Sequence, residues 1–189
     1  MIGALIGDIV GSRFEWHNHK DKDFELFTDA CFPTDDSIMT LAIAKSLLES
    51  NKMHSDLDKK VVKNMQMLGE KYPDAGYGGN FLGWIFSNDP HPYNSYGNGS
   101  AMRVSACAYA AASLEDTISL SKVVTAVTHN HPEGLKGAEA TTVAIYMALH
   151  GSSLLEIEEH IKQNYYNIGF TLDEIRDTCG MLKMNKYED

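Results

Sequence analysis

The chain has few residues that form crosslinks and no excess of the residues that bind polyanions. It contains only three cysteines, Cys31, Cys107 and Cys179, and none of them shows CxxC spacing. This pattern argues against a disulfide framework and a zinc site, and it favours the reducing cytoplasm as the location. The net charge of −10 argues against nonspecific nucleic-acid binding, which needs a basic surface.

Long hydrophobic runs are also absent from the sequence. No stretch approaches the roughly 18 consecutive apolar residues that span a bilayer, so no membrane association is expected. The apolar segment from Met1 to Val10 is interrupted by Asp8 and has no basic leader, unlike a signal peptide. With 189 residues, 43% of them hydrophobic and 22% charged, the chain is expected to form one domain over residues 1–189.

Apolar residues recur at helical spacing, and no clean period-two pattern occurs, so we predict an all-α fold. Capping boxes at Ser153 and Thr171, each with a Glu three residues later, mark two helix starts. The other predicted helices cover residues 37–49, a segment ending near 72, residues 80–86, residues 100–112, a segment starting at 113, and residues 132–150.

A cluster of oxygen ligands opens one of these helices. Thr34, Asp35 and Asp36 supply one hydroxyl and two carboxylates in consecutive positions. Mg²⁺ prefers oxygen ligands and keeps several waters, which suits this small set. Ser, Thr and Asp are also common N-cap residues, so the three residues alone favour a helix cap. Capping and metal binding both stay open on this evidence.

A glycine-rich loop, Ser95-Tyr96-Gly97-Asn98-Gly99-Ser100-Ala101-Met102-Arg103, runs into another predicted helix. Gly97 and Gly99 would let the backbone approach a ligand and would allow positive φ. The helix start would offer free N–H groups to a phosphate, and Tyr96 is a candidate to border a ribose or a base. Such a loop is a weak signal alone. The loop begins within the last part of an irregular stretch over residues 73–99. The length of that stretch is typical of a functional loop.

Together these motifs resemble the ADP-ribosylglycohydrolase family. The loop matches the family pattern Ser-Tyr-Gly-Asn-Gly-x-Ala-Met-Arg, and the Thr-Asp-Asp cluster follows Gly3-Ala4-Leu5-Ile6-Gly7-Asp8 in the family's order. The resemblance runs from Gly3 to about Arg176. It implies an all-α, orthogonally packed helical domain. It also implies a Mg²⁺-dependent hydrolase that removes ADP-ribose from modified proteins or cleaves related conjugates.

The resemblance further implies which residues form the site. Family members bind metal through Thr-Asp-Asp, which assigns Thr34, Asp35 and Asp36 to the metal and the two carboxylates to catalysis. Glu15 becomes the candidate that activates water, because glycosidic cleavage needs such a carboxylate. The substrate-binding candidates are Ser95, Tyr96, Gly97, Asn98, Gly99, Ser100, Met102 and His129.

We expect three further residues to support the site or the fold without contacting the substrate. We expect Asp8 to cap or support the acidic cluster, and His131, which precedes a proline, to cap a helix. We expect Arg103 to be a buried structural ion-pair partner, because it lies within an alanine-rich helical segment.

One family motif is missing. In the family, two Mg²⁺ ions are held jointly by the early Thr-Asp-Asp and a late Asp-x-Asp-Thr, which does not occur in these 189 residues. We therefore expect a C-terminally shortened domain with at most a partial Mg²⁺ site, slow turnover, and uncovered apolar helix faces that favour a homo-oligomer. The alternatives are a noncatalytic binder of ADP-ribose or a nucleotide, and a structural homologue.

Overall fold

The computed structural model describes residues 1–170 apart from 18, 20, 22, 52 and 168, and this part of the chain contains helices and no strand. The all-α prediction is therefore confirmed. The α-helices are α1 (Ile2–Gly11), α2 (Asp35–Glu49), α3 (Leu57–Lys71), α4 (Gly79–Ile85), α5 (Ser105–Ala110), α6 (Leu114–Ala126), α7 (Pro132–Leu149) and α8 (Leu154–Asn164). Two 3₁₀ helices cover Ser12–Phe14 and Ala101–Arg103. The capping box predicted at Thr171 and Glu174 lies outside the described residues.

Side-chain caps explain where four helices begin. Thr34, Ser113, His131 and Ser153 each accept a hydrogen bond from a backbone N–H in the first turn of the helix that follows. At Ser153 the predicted capping box is complete, since the Glu156 carboxylate also accepts from the Ser153 backbone N–H. The predicted cap at His131 is confirmed as well. These bonds satisfy N–H groups that lack partners within the helix.

Helix α2 lies at the centre of the core. It packs against α1, α3, α5 and the second 3₁₀ helix, while α6 and α7 pack against each other. Its buried residues join apolar side chains of α3, α4 and α6 in one cluster, which includes Met39, Ile43, Val61, Met65, Trp84, Ile85, Leu120 and Val124. The start of this central helix carries the acidic cluster, so the core fixes the position of the two carboxylates.

The prediction of one helix over residues 100–112 is wrong. The segment forms a three-residue 3₁₀ helix, and α5 then covers only Ser105–Ala110. Tertiary contacts override the high helix propensity of the alanines here. The Thr40 hydroxyl donates to the Met102 carbonyl at 3.3 Å, and the Arg103 side chain is fully buried.

The first helix, α1, exposes half of its apolar residues, Ile2, Ala4 and Ile6. Val10 is its only buried residue, and the exposed Ile2 adjoins the exposed Leu48 and Tyr109 around a groove of about 490 Å³. Within the described residues, no helix combines the length and the apolar composition required to traverse a bilayer. Formation of a homo-oligomer stays a prediction.

Gly69 on α3 is a close-packing point that offers a test of the core. A Cβ atom built there would lie 2.7 Å from Ile85 Cδ1, and Ile85 is fully buried. We expect Gly69→Ala to lower the free energy of unfolding by about 1–3 kcal/mol, because overpacking outweighs the better helix propensity of alanine. Urea denaturation measures the change. The control is Gly83→Ala on α4, where a Cβ atom meets nothing within 4 Å; equal losses in both variants would contradict the argument.

Candidate active site

One cleft joins the acidic cluster to the glycine-rich loop. Its volume is about 420 Å³, within the range of small-molecule sites. A larger groove of about 1110 Å³ between α3 and α6 contains none of the predicted site residues. The predicted residues that line the smaller cleft are Glu15, Asp35, Asp36, Ser95, Gly97, Asn98, Gly99, Met102 and His129. Segments far apart in the sequence therefore meet where the resemblance places a site.

The Asp8 carboxylate on α1 fixes the start of α2. It accepts hydrogen bonds from the backbone N–H groups of Thr34 at 2.9 Å and Ser37 at 3.2 Å, and from the Thr34 hydroxyl at 2.5 Å. The Thr34 oxygen accepts in turn from the Asp36 N–H at 3.3 Å. Asp8 thus has the predicted supporting role. Thr34 is buried, does not line the cleft, and orients the turn that carries the two carboxylates; its contact with a metal stays a prediction.

The turn after α3 holds the other side of this helix start. The Asp35 N–H donates to the Ala75 carbonyl at 2.7 Å. Gly76 follows with a φ of +95°, a conformation that L side chains rarely adopt, and a Cβ atom built there would lie 4.0 Å from Asp35 Oδ1. A glycine at this position therefore lets the backbone turn beside the carboxylate.

Burial and neighbouring carboxylates raise the pKa of both Asp35 and Asp36 at this end of the cleft. Burial, followed by the charges of Asp36, Glu15 and Asp8, raises the pKa of Asp35 to about 6. Burial and the charges of Asp8 and Glu15 also raise the pKa of Asp36. In the part of the chain that the structure describes, no Lys or Arg forms a salt bridge with these groups. Such crowding of like charges is relieved when a cation binds.

The donor set agrees with a hydrated divalent ion. Mg²⁺ usually binds proteins through one or two carboxylates and keeps several waters, and Asp35 and Asp36 offer two carboxylates side by side in the cleft. Across the described residues, no three His, Cys, Asp or Glu side chains are arranged to enclose a metal. Asp35 and Asp36 therefore suit a divalent ion that keeps most of its water ligands.

Among the glycines of the loop, Gly99 is the one that close packing explains. Gly76 and Gly151 are the described glycines with positive φ, so Gly97 and Gly99 do not use the positive φ that glycine allows. A Cβ atom built at Gly99 would lie 3.3 Å from His129 Nε2. The glycine lets the loop backbone pass close to the Cε1–Nε2 edge of the His129 ring.

Two predicted substrate-binding residues lie outside the cleft. The Tyr96 ring is exposed and packs near the His131 ring, with 5.1 Å between the centroids. Ser100 is buried, and its hydroxyl donates to the Gly134 carbonyl at 3.2 Å. Ser100 thus ties the end of the loop to α7. Contact of either residue with a substrate stays a prediction.

Arg103 is buried as predicted, but the predicted ion pair is wrong. Its guanidinium donates to the Val124 carbonyl at 3.2 Å and to the Thr128 hydroxyl at 2.8 Å, and no carboxylate of the described residues lies within salt-bridge distance. Burial lowers the pKa of Arg103 to about 10, so the group keeps its charge at neutral pH. It lines the cleft beside His129. This cation was not among the site residues predicted from the sequence.

Other cleft residues that the sequence analysis missed come from the irregular stretch before the loop. They are Gly76, Gly78, Gly79, Asn80, Phe81 and Tyr93. The available signal was the length of that stretch and its content of glycine and aromatic residues, which indicated function without identifying individual residues.

The class of protein is defined by its helical fold and by one cleft. At this cleft a Thr-Asp-Asp helix start meets a Ser-Tyr-Gly-Asn-Gly loop. The chain belongs to the ADP-ribosylglycohydrolase family, whose model matches residues 1–185. It is 29% identical to ADP-ribosylhydrolase ARH3 of Homo sapiens over 187 residues, 82% of this chain and 50% of that protein. The ARH3 of Xenopus tropicalis is 28% identical over 195 residues, 86% of this chain and 54% of that protein. The chain thus spans about half the length of the curated relatives it matches.

Proposed function

We propose that the chain binds ADP-ribose in this cleft and takes part in hydrolysing the bond between ADP-ribose and a modified protein or a related conjugate. The observation that carries the proposal is that the acidic cluster, the loop and the buried Arg103 share one cleft. The matched relatives are named ADP-ribosylhydrolases, which supports ADP-ribose as the ligand.

The loop end of the cleft suits a diphosphate. The Arg103 guanidinium is a buried cation without a carboxylate partner in the described residues, and its Nε makes no hydrogen bond there. A buried charge is costly until an opposite charge approaches it. An anionic ligand above Gly99 and His129 would supply that charge, and the glycine keeps the approach open.

The acidic end suits hydrolysis. Cleavage of a glycosidic bond needs a carboxylate that takes the proton of the attacking water as the leaving group departs. Glu15 suits this role because it is exposed at the cleft, whereas Asp35 and Asp36 are partly buried. We assign Asp35 and Asp36 to a Mg²⁺ ion, which would act as a Lewis acid on a substrate oxygen when bound.

The metal assignment predicts a result for the double variant Asp35→Asn with Asp36→Asn. Mg²⁺ is expected to raise the melting temperature of the wild-type protein and to leave that of the variant unchanged, because asparagine keeps the shape but removes both charges. Differential scanning fluorimetry with and without Mg²⁺ measures this. Glu115→Gln, at an exposed first-turn position of α6, controls for charge removal and should keep the Mg²⁺ effect. An equal shift in the double variant would place the ion elsewhere.

The same double variant should be more stable than the wild type when EDTA removes divalent ions. The folded-state pKa of Asp35 is about 6 and lies above its ordinary value of 3.8, so its ionisation destabilises the fold progressively between these pH values and fully above about pH 6. We expect a gain of about 1–2 kcal/mol at pH 8, after allowance for solvent screening, and a smaller gain as the pH falls towards 4. Urea denaturation at both pH values measures it; a variant less stable than the wild type at pH 8 would contradict the crowding of charges.

Calorimetric titration with ADP-ribose, with and without Mg²⁺, tests the proposed function. We expect wild-type protein to bind ADP-ribose and to release it from an ADP-ribosylated peptide in the presence of Mg²⁺. Lack of binding under both conditions would refute the proposal. Binding without release would instead indicate a noncatalytic ADP-ribose binder.

A further inference from the structure

Three buried polar side chains form a hydrogen-bonded chain behind the cleft. Arg103, Thr128 and His129 are 1%, 0% and 4% exposed. The Arg103 guanidinium donates to Thr128 Oγ1 at 2.8 Å, and the same oxygen lies 2.7 Å from His129 Nδ1. This chain leads from the buried cation to the ring that borders the loop.

The direction of these bonds follows from what each group can donate. Arginine only donates, so Thr128 Oγ1 must accept from Arg103. The single hydroxyl hydrogen of Thr128 then has one acceptor among the described residues, His129 Nδ1. A hydrogen on Nδ1 would leave the buried hydroxyl without an acceptor, which is costly. Nδ1 is therefore the bare nitrogen of the ring.

We propose that Arg103 and Thr128 are positioning residues that hold His129 as the neutral tautomer with its hydrogen on Nε2. Nε2 faces the loop, 3.3 Å from a Cβ atom built at Gly99, and makes no hydrogen bond within the described residues. The ring thus presents a donor to the cleft. Its ligand is an anionic oxygen of the bound molecule, a step that rests on the proposed function.

The electrostatics of the ring agree with this arrangement. Burial, followed by the positive charge of Arg103, lowers the pKa of His129 to about 4. The ring is therefore neutral at pH 7, and a neutral ring with its hydrogen on Nε2 cannot act as a base at that atom. His129 orients the ligand, and the proton of the attacking water goes to a carboxylate.

Nitrogen-15 NMR of the histidine rings in the ligand-free protein tests the proposal. We expect His129 to show a protonated Nε2 and a bare Nδ1 at pH 7, with the signals assigned by their loss in His129→Gln. Thr128→Val, which removes the hydroxyl at nearly constant shape, should give a mixture of tautomers. Thr128→Ser, which keeps the hydroxyl, should restore the wild-type spectrum.

Binding supplies the second readout. We expect Thr128→Val to weaken ADP-ribose binding about tenfold, and Thr128→Ser to remain within about twofold of the wild type, as measured by calorimetry. A wild-type ring with its hydrogen on Nδ1, or an unchanged tautomer in a folded Thr128→Val protein, would overturn the proposal. If Thr128→Val does not fold, the wild-type spectrum still shows which ring nitrogen of His129 carries the hydrogen. A wild-type protein that fails to bind ADP-ribose would refute the proposed function, and the spectrum would still decide the tautomer.

Discussion

Replacing Glu15 by glutamine is expected to lower the rate of ADP-ribose release by about 10²–10⁴-fold while leaving the affinity for ADP-ribose nearly unchanged. Glutamine keeps the size of glutamate but cannot accept the proton of the attacking water. The Glu15 carboxylate lies in the cleft, close enough to Asp35 and Asp36 to raise the pKa of both. Product release from an ADP-ribosylated peptide gives the rate, and calorimetry gives the affinity.

Glu25 provides the matched control for this variant. It is an exposed glutamate that follows Glu15 in the same connection to α2, and it does not line the cleft. Glu25→Gln therefore changes the net charge by the same amount and should keep wild-type release. A Glu15→Gln protein that releases ADP-ribose at the wild-type rate would remove Glu15 from the mechanism. Equal losses in both variants would indicate a long-range effect of charge.

Helix starts could be predicted from the sequence because a cap is a local interaction. Ser113, His131 and Ser153 each bond to an N–H group two or three residues later, so neighbouring residues contain the information. The break between the second 3₁₀ helix and α5 could not be predicted in this way. It depends on the bond from Thr40 to the Met102 carbonyl, which joins positions 62 residues apart.

The N-terminal helix shows another limit of local patterns. Helix α1 carries Gly3, Gly7 and Gly11, which are poor helix formers, and it was not predicted from the sequence. Its side chain Asp8 caps the start of α2 through Thr34. The helix is thus tied to the acidic cluster by a contact between distant segments.

The residues of the candidate site likewise differ in whether a local motif or a contact with a distant segment determines their position. Asp35 and Asp36 were predicted as site residues from the family resemblance, because the Thr-Asp-Asp motif alone favours a helix cap; the contiguous motif does place both carboxylates at one point of the fold. Arg103 was predicted to be an ion-pair partner because the sequence pattern indicates its burial. That no carboxylate of the described residues pairs with it depends on its packing against α6 and Thr128.

Gly134, in the first turn of α7, packs against the backbone of the glycine-rich loop. A Cβ atom built there would lie 2.6 Å from the Ser95 carbonyl oxygen, and 3.3 Å from both His129 Cβ and Tyr96 Cα. The nearest atom belongs to the backbone, so no side-chain rotation relieves the clash. We expect Gly134→Ala to displace the loop and weaken ADP-ribose binding by about 10²-fold, since losing one hydrogen bond to a charged group costs about 1.5–3 kcal/mol.

A control on the same helix separates this effect from helix propensity. At Gly137, one turn further along α7, a built Cβ atom would make an ordinary contact of 3.5 Å with the Tyr166 hydroxyl. Gly137→Ala should therefore keep wild-type affinity and stabilise the protein by up to about 1 kcal/mol, because alanine is the better helix former. Calorimetry measures the affinities, and circular dichroism verifies that both variants are folded. Wild-type affinity in folded Gly134→Ala would show that the loop adjusts to the extra atom. Weakened binding confined to that variant would instead show that ligand recognition depends on how closely the loop approaches α7.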